Sequence, residues 1–562
     1  MKNTILKLLK IYGAYKKIFF FIIVLLFIST AANLLTPIIN KVVIDQGFLK
    51  KNIKLILVGL SVIFMLRIID LILTYIIERN RVKISKEIKM DLEMNSFEKM
   101  MNMKICNYQN DNVTGMISRL DVDINAIGML VEGNFFSALT QFISIFGGIV
   151  GLIYIEWRLL VLMFVFIFLK YVVIRTISNK NEILTRKYIE SMNGFAQWYS
   201  NILYGIKEVK VYDLKKIVFP QFRNKAAEKN EIKRKMDFNE SLKTILETLL
   251  SYLLDFLMYI LGGYLVYKSN LSVGSVFAFL TYSTYISNPI STILGLRYIL
   301  SQIAPSVDRY TAFMREEGET EEGVEIAKEV ENLELENVSF NYNLETSVLE
   351  NVNLQWRVQK INGLVGANGS GKSTIIDLLL RFYEPANGYI KLNGKDIKKY
   401  NLQQYRNLFS VVSQQIYLFN DSIRNNLTLG KEVPDSKIKK FMAECGLEEF
   451  LIDKGLDYQV GENGINLSGG ERQKLGLVRA MIQNRPIILL DEATSNADVF
   501  LEKNIGRIIK QYFNNKTIIL ITHRMNNYKI CSSIFYLNNY KVLQYDNYEV
   551  FLQENQEYNK EV

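Results

Sequence analysis

The sequence predicts a multidomain membrane protein with an N-terminal all-α domain of six transmembrane helices and a C-terminal α/β domain. Six long apolar stretches lie before Leu300, and none lies after it. From about Glu331 onwards, short β-rich runs alternate with amphipathic helical patterns, as is typical of an α/β domain. These two textures, in 562 residues of which 49% are apolar, exclude a soluble single-domain enzyme and a disordered scaffold.

The six spans follow from the length of the apolar runs, since a bilayer core needs about 20 mostly apolar residues per helix. Runs of this kind lie at about 18–39, 55–77, 135–155, 158–177, 247–267 and 271–300. Lysines precede the first run as they do in a signal peptide. That run exceeds the roughly 7–15 residues of a signal h-region, and more spans follow it. We therefore expect a retained helix.

The charges of the loops predict the orientation of the spans. Long loops at 78–134 and 175–244 carry many Lys and Arg residues, whereas the links between the other spans are short and hold few. The positive-inside bias therefore places both termini, the long loops and the C-terminal domain in the cytoplasm. Much of the net charge of +10 comes from Lys and Arg residues in the segments that flank the spans. Because the membrane accounts for this charge, we expect no nucleic-acid partner. Heavy use of Asn, Lys and Ile favours a low-GC bacterial source, and hence the plasma membrane, with the chain as a multi-pass protein of the cell's inner membrane.

Helical spacing in the two long loops predicts that spans two to five continue as helices into the cytoplasm, with turns near 110–120 and 200–212. After the sixth span, a glutamate-rich stretch with Gly318 and Gly323 predicts a solvated connector. The expected domains are a transmembrane domain at 1–310, an acidic linker at 311–330 and an α/β domain at 331–562.

Cysteine and histidine usage limits the metal chemistry of the chain. Cys106, Cys445 and Cys531 show no CxxC spacing and are odd in number, so we expect reduced thiols rather than a disulfide framework or a zinc site. The single histidine excludes a His-based metal cluster.

A phosphate-binding loop begins at Gly366. The run Gly366–Ser373 fits G-x-x-x-x-G-K-[ST], follows the strand-like run Ile361–Val365 and precedes the helical run Ile375–Phe382. Backbone N–H groups of such a loop approach phosphates, with Lys372 reaching the β/γ-phosphates and the Ser373 hydroxyl binding Mg²⁺. The predicted nucleotide-binding residues of this loop are Gly366, Ala367, Asn368, Gly369, Ser370, Gly371, Lys372, Ser373 and Thr374.

A second motif ends in two carboxylates. The near-continuous apolar run Ile487–Leu490 predicts a parallel strand buried on both faces, and Asp491 and Glu492 follow it. We expect Asp491 to hold the Mg²⁺ shell and Glu492 to polarise the water that attacks the γ-phosphate. The motif is weak alone and becomes specific with the phosphate loop upstream.

Between these motifs stands Leu467-Ser468-Gly469-Gly470, which opens a helix with Ser468 as its expected N-cap. The order of phosphate loop, glutamine, LSGG, Asp-Glu, Ser-x-x-Asp and histidine resembles the nucleotide-binding domain of ATP-binding-cassette (ABC) transporters, whose signature is LSGG. The resemblance implies a P-loop NTPase fold of the ATP-binding-cassette type. It also implies that Ser468, Gly469 and Gly470 bind the γ-phosphate of ATP held by the opposite subunit.

The same resemblance implies roles for four further positions. Tyr342 matches the aromatic residue that stacks on adenine, and its alternative is a tyrosine on a strand face. Gln414 matches the glutamine that senses Mg²⁺ and contacts the membrane domain. Asp498 matches the loop that couples the two ATP sites. His523 matches the catalytic switch histidine at the γ-phosphate.

Nearly the whole chain resembles a half-transporter of the exporter type, with the membrane domain fused to the ATP-binding domain. Thr114–Asp123 resembles the first coupling segment of such exporters, and Gly205–Val211 resembles the second. The signature departs from the family at Glu471, where glutamine is commoner. A second departure is Gln459, where exporters often have glutamate.

The resemblance implies an ATPase, converting ATP and water to ADP and phosphate, that drives export of a small molecule, peptide or lipid. One chain holds one phosphate loop and one signature, so the implied unit is a dimer with a second half-transporter, and symmetry favours a homodimer over a heterodimer. ATP and Mg²⁺ are the implied cofactors. The alternatives are a lipid flippase of the same family and an ATP-switched membrane sensor or channel.

Several charges lie inside the predicted spans, where each costs about 2.5–3.5 kcal/mol on insertion scales unless it faces protein or water. They are Arg67, Asp70, Lys170 and Asp255. One interpretation is a polar substrate cavity lined by Asp255, Arg67 and Asp70. The other is an Arg67–Asp70 pair one helical turn apart, with Lys170 snorkelling to the interface.

Overall fold

The computed structural model describes residues 7–8, 11–109, 113–129, 135–268, 271–326, 329–343, 346–493, 499–522 and 525–555. The chain forms two compact units. A helical unit comprises Met1–Met101 and Asn112–Glu316, and an α/β unit comprises Asn102–Asp111 and Glu317–Val562. The predicted fold class, an all-α membrane part followed by an α/β part, is confirmed.

Long helices make up the helical unit. A short 3₁₀ turn, Gly13–Tyr15, precedes the first of them, and a π-helical segment, Val43–Phe48, follows it. The helices are α1 (Lys16–Val42), α2 (Ile53–Met101), α4 (Val113–Met129), α5 (Phe135–Ile155), α6 (Trp157–Tyr204), α7 (Ile206–Val211), α8 (Lys215–Tyr267) and α9 (Val273–Arg315). The four-residue helix α3 (Cys106–Gln109) lies between α2 and α4 in the chain and belongs to the α/β unit.

Within the described ranges, five helical segments are long and apolar enough to cross a bilayer. They are Gly13–Phe48, Ile53–Met101, Phe136–Ile155, Leu160–Tyr204 and Lys215–Tyr267. The sixth predicted run falls on α9, which continues as a single helix to Arg315. The bounds of the individual spans stay a prediction.

Helix length alone requires extension beyond the membrane. The 49 residues of α2 rise about 74 Å at 1.5 Å per residue, well over twice the roughly 30 Å of a hydrocarbon core. The predicted turn near 200–212 is confirmed, because α6 ends at Tyr204 and the short α7 separates it from α8.

The first predicted turn, near 110–120, was placed too far along the chain. Helix α2 ends at Met101, and Val113–Met129 is already helical again. Thr114–Asp123, expected to be the first coupling segment, lies inside α4 in the helical unit. The segment that belongs to the α/β unit is Asn102–Asp111 instead.

Pro37 lies inside α1 and removes one backbone donor from it. The carbonyl four residues earlier, that of Asn33, therefore has no helical partner. The Tyr285 hydroxyl on α9 donates to Asn33 O at 3.4 Å, and the Tyr282 hydroxyl donates to Leu34 O at 2.5 Å. Two tyrosines of α9 thus donate hydrogen bonds to carbonyls of α1 in the turn before Pro37.

Glycines on α5 allow close packing within the chain. A Cβ at Gly147 would lie 2.0 Å from a Leu34 methyl group of α1, and a Cβ at Gly151 would lie 2.6 Å from the Tyr282 ring of α9. The Gly147-x-x-x-Gly151 pattern therefore accommodates neighbouring helices of the same unit, as small residues do in membrane bundles.

Two sheets form the α/β unit. The strands are β1 (Leu333–Asn343), β2 (Thr346–Trp356), β3 (Ile361–Gly366), β4 (Asn387–Leu392), β5 (Lys395–Asp396), β6 (Phe409–Val412), β7 (Ile487–Asp491), β8 (Thr517–Ile521), β9 (Ser533–Asn538) and β10 (Lys541–Tyr545). One sheet has the order β2-β1-β4-β5 and is antiparallel. The other has the order β10-β9-β3-β8-β7-β6 and is parallel except for β10.

Buried apolar strands form the centre of the parallel sheet. All five residues of β8 and the first four of β7 are buried, as expected for strands covered on both faces. The helices of the α/β unit after α3 are α10 (Lys372–Leu379), α11 (Leu402–Arg406), α12 (Ile423–Thr428), α13 (Asp435–Glu444), α14 (Glu448–Lys454), α15 (Gly469–Gln483), α16 (Val499–Tyr512), α17 (Met525–Tyr528) and α18 (Tyr548–Glu554). The three cysteines are free thiols.

The acidic linker is largely exposed between Glu316 and Glu325, as a solvated connector would be, and it is also bound to the α/β unit through its backbone. Val324 forms a parallel bridge with Tyr400, and its N–H donates to Lys399 O at 2.8 Å. Backbone atoms of Tyr400 and Asn401 lie within 2.6 Å of where a Cβ on Gly323 would stand. Glutamate patterning predicts the exposure of the linker, but it carries no information about this long-range backbone pairing.

A charge pair joins α4 to α9 in the helical unit. Asp123 is buried, and Arg309 donates to both of its carboxylate oxygens, with Nε at 3.0 Å from Oδ2. We expect Arg309→Met to lower the free energy of unfolding by about 1–3 kcal/mol, because a buried carboxylate loses its donors. The thermal midpoint in detergent measures this.

The ion pair of Lys7 and Asp308 is the matched control. Its N–O distance is 2.5 Å, and the Asp308 side chain is 61% exposed. Lys7→Met should change stability by less than about 1 kcal/mol. Equal shifts of the midpoint for both variants would show that burial of Asp123 does not set the energy of the pair.

Candidate functional site

The phosphate loop joins β3 to α10. Five of the six residues of β3 are buried, so packing fixes the position of Gly366, where the strand ends and the loop begins. Gly371 caps α10 with φ +104°, and Gly369 has φ +77° with open space around its Cβ position. Only glycine adopts these backbone angles without strain, which leaves backbone N–H groups free to turn towards a ligand.

Lys372 is folded onto this loop. Its Nζ donates to Gly366 O and to Ala367 O, each at 2.8 Å, and the residue is 8% exposed. Burial lowers the pKa of Lys372, and the neighbouring Glu492 and Asp491 carboxylates partly oppose that shift. The ammonium thus stands between the loop and two acidic side chains.

Ser370 supplies a hydroxyl inside the loop that has no internal partner. Its Oγ is buried and makes no hydrogen bond to protein. A buried polar atom without a partner costs about 1–3 kcal/mol, and an anion at the loop would relieve that cost. The loop therefore fits a phosphate group in its chemistry as well as in its backbone.

Two carboxylates stand at the end of β7. Glu492 has φ +51°, a left-handed conformation that turns the chain sharply after the strand, and its N–H donates to Ile521 O of β8 at 2.9 Å. Gln414 follows β6 and donates from Nε2 to Glu492 Oε2 at 2.7 Å. The structure thus brings Glu492, Gln414 and Lys372 together at one edge of the sheet.

The donor set at this edge fits Mg²⁺. Mg²⁺ prefers one or two protein oxygen ligands and fills the remaining positions with water and phosphate oxygens. The Ser373 hydroxyl, the Asp491 carboxylate and the Gln414 amide oxygen are hard oxygen donors of this kind. No group of three or more acidic, His or Cys side chains that could hold a metal ion is found among the described residues.

Tyr342 stands at the side of the phosphate loop. Its hydroxyl lies 3.1 Å from Thr374 Oγ1, and its ring meets those of Phe340 and Tyr383 edge to face. The ring is nevertheless 45% exposed. An exposed aromatic face beside the loop is what stacking on a base requires, so the geometry is compatible with the predicted role.

Sequence reasoning missed Asp377, one helical turn after Ser373 on α10. Burial, and secondly the charge of Asp491, raise the pKa of Asp377 to about 6. Tyr342 interacts with the same carboxyl group and partly opposes the shift. The i, i+4 spacing from Ser373 was the available signal, since it places both side chains on one face of the helix.

The signature opens α15 with a complete capping box. Ser468 Oγ accepts from Glu471 N at 3.2 Å, and the Glu471 carboxylate accepts from Ser468 N at 2.6 Å. The departure from glutamine at position 471 thus supplies a charged cap at the helix N-terminus. Ser468 is exposed. Asp498 and His523 lie outside the described residues.

Three of the four intramembrane charges interact with protein groups. The Asp70 carboxylate accepts from Ser29 Oγ at 2.5 Å and from Asn33 Nδ2 at 3.0 Å. Lys170 is buried rather than snorkelling, and it donates to Ser287 Oγ at 2.7 Å. Lys170 also interacts electrostatically with Asp255. Arg67 is exposed in the single chain.

Fold and site together define a membrane protein with a fused P-loop nucleotide-binding domain. The model of the ABC transporter transmembrane region matches residues 19–290, and the ABC transporter model matches residues 349–495. The chain therefore belongs to the ABC transporters, as a half-transporter of the exporter type. It is an ATPase coupled to transmembrane movement of a substrate.

Similar proteins agree with this assignment. The chain is 27% identical to an ATP-dependent lipid A-core flippase of Salmonella paratyphi A, covering 89% of this chain and 87% of the relative. It is 26% identical to an ATP-dependent lipid A-core flippase of Photorhabdus laumondii, covering 96% of this chain and 94% of the relative. A bacterial Atm1-family ABC exporter with ATP bound shares the fold, with TM-score 0.82, 21% identity and coverage of 96% and 98%.

The raised pKa of Asp377 gives a pH prediction. Between about pH 4 and 6 the native state binds more protons at this carboxyl group than the unfolded chain does, so its contribution to stability falls as pH rises through that window. We expect Asp377→Asn to stabilise the nucleotide-free protein at pH 7.5 by about 1–3 kcal/mol and to give less or nothing at pH 4.5.

Thermal midpoints at the two pH values, without nucleotide and with chelator, check this prediction. Asp453→Asn is the matched control, because its side chain is 72% exposed. A gain for Asp377→Asn that is the same at both pH values would contradict the assigned titration.

Proposed function

We propose that this chain forms a homodimer in the bacterial plasma membrane and exports an amphipathic, lipid-like substrate. The observation that carries the proposal is the placement of Glu492 beside Lys372 and Gln414, in a chain whose other half is a bundle of membrane helices. A hydrolytic carboxylate favours a pump over the alternative of an ATP-switched sensor or channel. The substrate class rests on the relatives, which are named as lipid A-core flippases.

Each site residue has a task in ATP hydrolysis under this proposal. The glycine-rich loop and Lys372 bind the β- and γ-phosphates, and Tyr342 holds the adenine. Glu492 accepts a proton from the attacking water, and Gln414 orients the Glu492 carboxylate through the hydrogen bond of 2.7 Å. Ser373, Asp491 and Gln414 would hold Mg²⁺, which would neutralise charge at the phosphates.

The second half of each ATP site comes from the partner chain. The signature residues, exposed Ser468 and half-buried Gly469 and Gly470, lie at the N-terminus of α15, where backbone N–H groups and the helix dipole favour an anion. We propose that they bind the γ-phosphate held by the partner's phosphate loop. Asp498 and His523 keep their predicted roles in site coupling and γ-phosphate contact.

Orientation and substrate path complete the proposal. The termini and the ATP-binding domain lie in the cytoplasm, as the loop charges indicate. Arg67, Asp70 and Asp255 meet the polar part of the substrate. Because Asp70 and Asp255 already interact with protein groups, their charges are compensated before a substrate arrives.

The first test combines turnover and transport in proteoliposomes. We expect the wild type to move an acyl-labelled fluorescent phospholipid when ATP is added. Glu492→Gln should lower both turnover and lipid movement by about 10²-fold or more while ATP still binds, because the variant loses the proton acceptor and keeps Lys372. Glu448→Gln, on an exposed glutamate of α14, is the control.

Two results would count against the proposal in different ways. Near-normal turnover of Glu492→Gln would remove this residue from the catalytic role. Wild-type turnover without movement of the labelled phospholipid would leave the ATPase in place and overturn the lipid-like substrate class.

A mixing experiment tests the composite sites. Lys372→Met removes the phosphate contact, and Ser468→Arg blocks the signature, so each homodimer should be inactive. Dimers with one copy of each variant retain one intact phosphate loop facing one intact signature. Co-expression should therefore restore ATPase activity, up to about a quarter of the wild-type value for random pairing of independent sites.

ATPase activity of the co-purified mixture, compared with a mixture of the two separately purified variants, is the measurement. Activity that stays at the level of either variant alone would contradict composite sites in a homodimer.

A further inference from the structure

The linker and the hairpin segment Asn102–Gln109 are paired within the α/β unit. Met103 and Gly318 form an antiparallel bridge, and Glu319 N donates to Asn102 O at 2.6 Å. Lys104 and Glu317 add an ion pair of 3.4 Å. The chain passes between the two units after α2 and again after α9, and these two points are therefore joined to each other by backbone bonds.

Glu319 connects this pairing to the rest of the unit. Both of its carboxylate oxygens accept from the Arg406 guanidinium, from Nη1 and from Nη2, each at 2.6 Å. The side chains are 17% and 27% exposed, so the pair is largely shielded from solvent. A bidentate pair of this kind fixes orientation as well as distance.

The remaining donors of Arg406 reach the end of α10. Nε donates to Leu380 O and Nη2 donates to Arg381 O, each at 3.0 Å, while the guanidinium lies 5.0 Å from the centre of the Phe382 ring. Leu380 caps α10, and Arg381 has φ +54° immediately after it. A cation at the helix C-terminus satisfies carbonyls that have no helical donors.

Helix α10 is short enough to move as one body. It has eight residues, about 12 Å of rise, and it begins at Lys372 in the phosphate loop. A displacement of its N-terminus therefore displaces Leu380 and Arg381 by a similar distance. Because Arg406 holds those carbonyls and Glu319 at the same time, such a shift also reaches the linker.

We propose that Glu319 and Arg406 are positioning residues that link nucleotide occupancy at the start of α10 to the hairpin segment Asn102–Gln109 through the linker. Neither residue contacts the phosphate loop. They act on the backbone where the chain passes between the two units. The bidentate pair and the hydrogen bond from Glu319 N to Asn102 O carry this effect.

Hydrogen exchange of the full chain in lipid nanodiscs tests the proposal, with and without the ATP analogue AMP-PNP and Mg²⁺. In the wild type the analogue should slow exchange at least about fivefold in peptides covering 361–380, 102–109 and 317–324. In Glu319→Gln the slowing should persist at 361–380 and fall below about twofold at 102–109, because the neutral amide no longer forms the charged bidentate pair.

Matched variants separate coupling from general loosening. Glu322→Gln changes an exposed glutamate of the same linker and should behave like the wild type. Glu319→Asp, which keeps the charge, should restore part of the slowing. Arg406→Lys should lose it, since a single ammonium does not reach both the carboxylate and the two carbonyls. Affinity for the analogue should stay within about twofold in all variants.

The outcomes are distinct. Wild-type slowing at 102–109 in Glu319→Gln, or no slowing there in the wild type while 361–380 is protected, overturns the coupling role alone. Absence of protection at 361–380 in the wild type overturns the nucleotide site itself and the coupling with it. Loss of protection at both places in Glu319→Gln shows a structural role only, and the coupling proposal is then wrong.

Discussion

The parallel order of β3, β8, β7 and β6 is the constraint on which the ATP-binding half depends. Strands that run the same way end at the same edge of a sheet, so the residues that follow them meet there even though they are far apart in the chain. Gly366 ends β3, Gln414 follows β6 and Glu492 follows β7. The burial of β3, β7 and β8 on both faces makes this edge rigid, and a rigid edge positions the Glu492 carboxylate next to the phosphate loop.

The sequence predicted most of this edge and little of what is attached to it. The phosphate loop and the Asp491-Glu492 pair carry their chemistry in local spacing, so motif and strand context were sufficient to find them. The Glu319–Arg406 pair joins residues that are 87 positions apart, and neither side chain belongs to a pattern. The first cytoplasmic turn was misplaced for a related reason: helical spacing continues through α4, and the boundary at Met101 depends on contacts of Asn102–Asp111 with the α/β unit.

The membrane half shows how local violations are compensated at long range. A proline inside α1 and a carboxylate inside α2 are both unfavourable in lipid by themselves. Tyr285 donates to the carbonyl that Pro37 leaves without a helical partner, and Ser29 and Asn33 donate to Asp70. Lys170 meets Ser287 in the same manner. These partners lie on other helices, so each violation also specifies which helices are neighbours.

The attachment of the linker to Arg406 bears on how such transporters can be recombined. A chimera that takes its ATP-binding half from a relative, with a junction at the predicted domain boundary near residue 331, would import a new residue at position 406 while keeping Glu319 and Asn102 from this chain. The residue at position 406 and the Glu319 carboxylate would then come from different parents. If the junction were moved to residue 317, the two residues of the Met103–Gly318 bridge would come from different parents instead. Modular exchange of this chain's ATP-binding half is therefore limited by a structural element that three separate stretches of the chain build together.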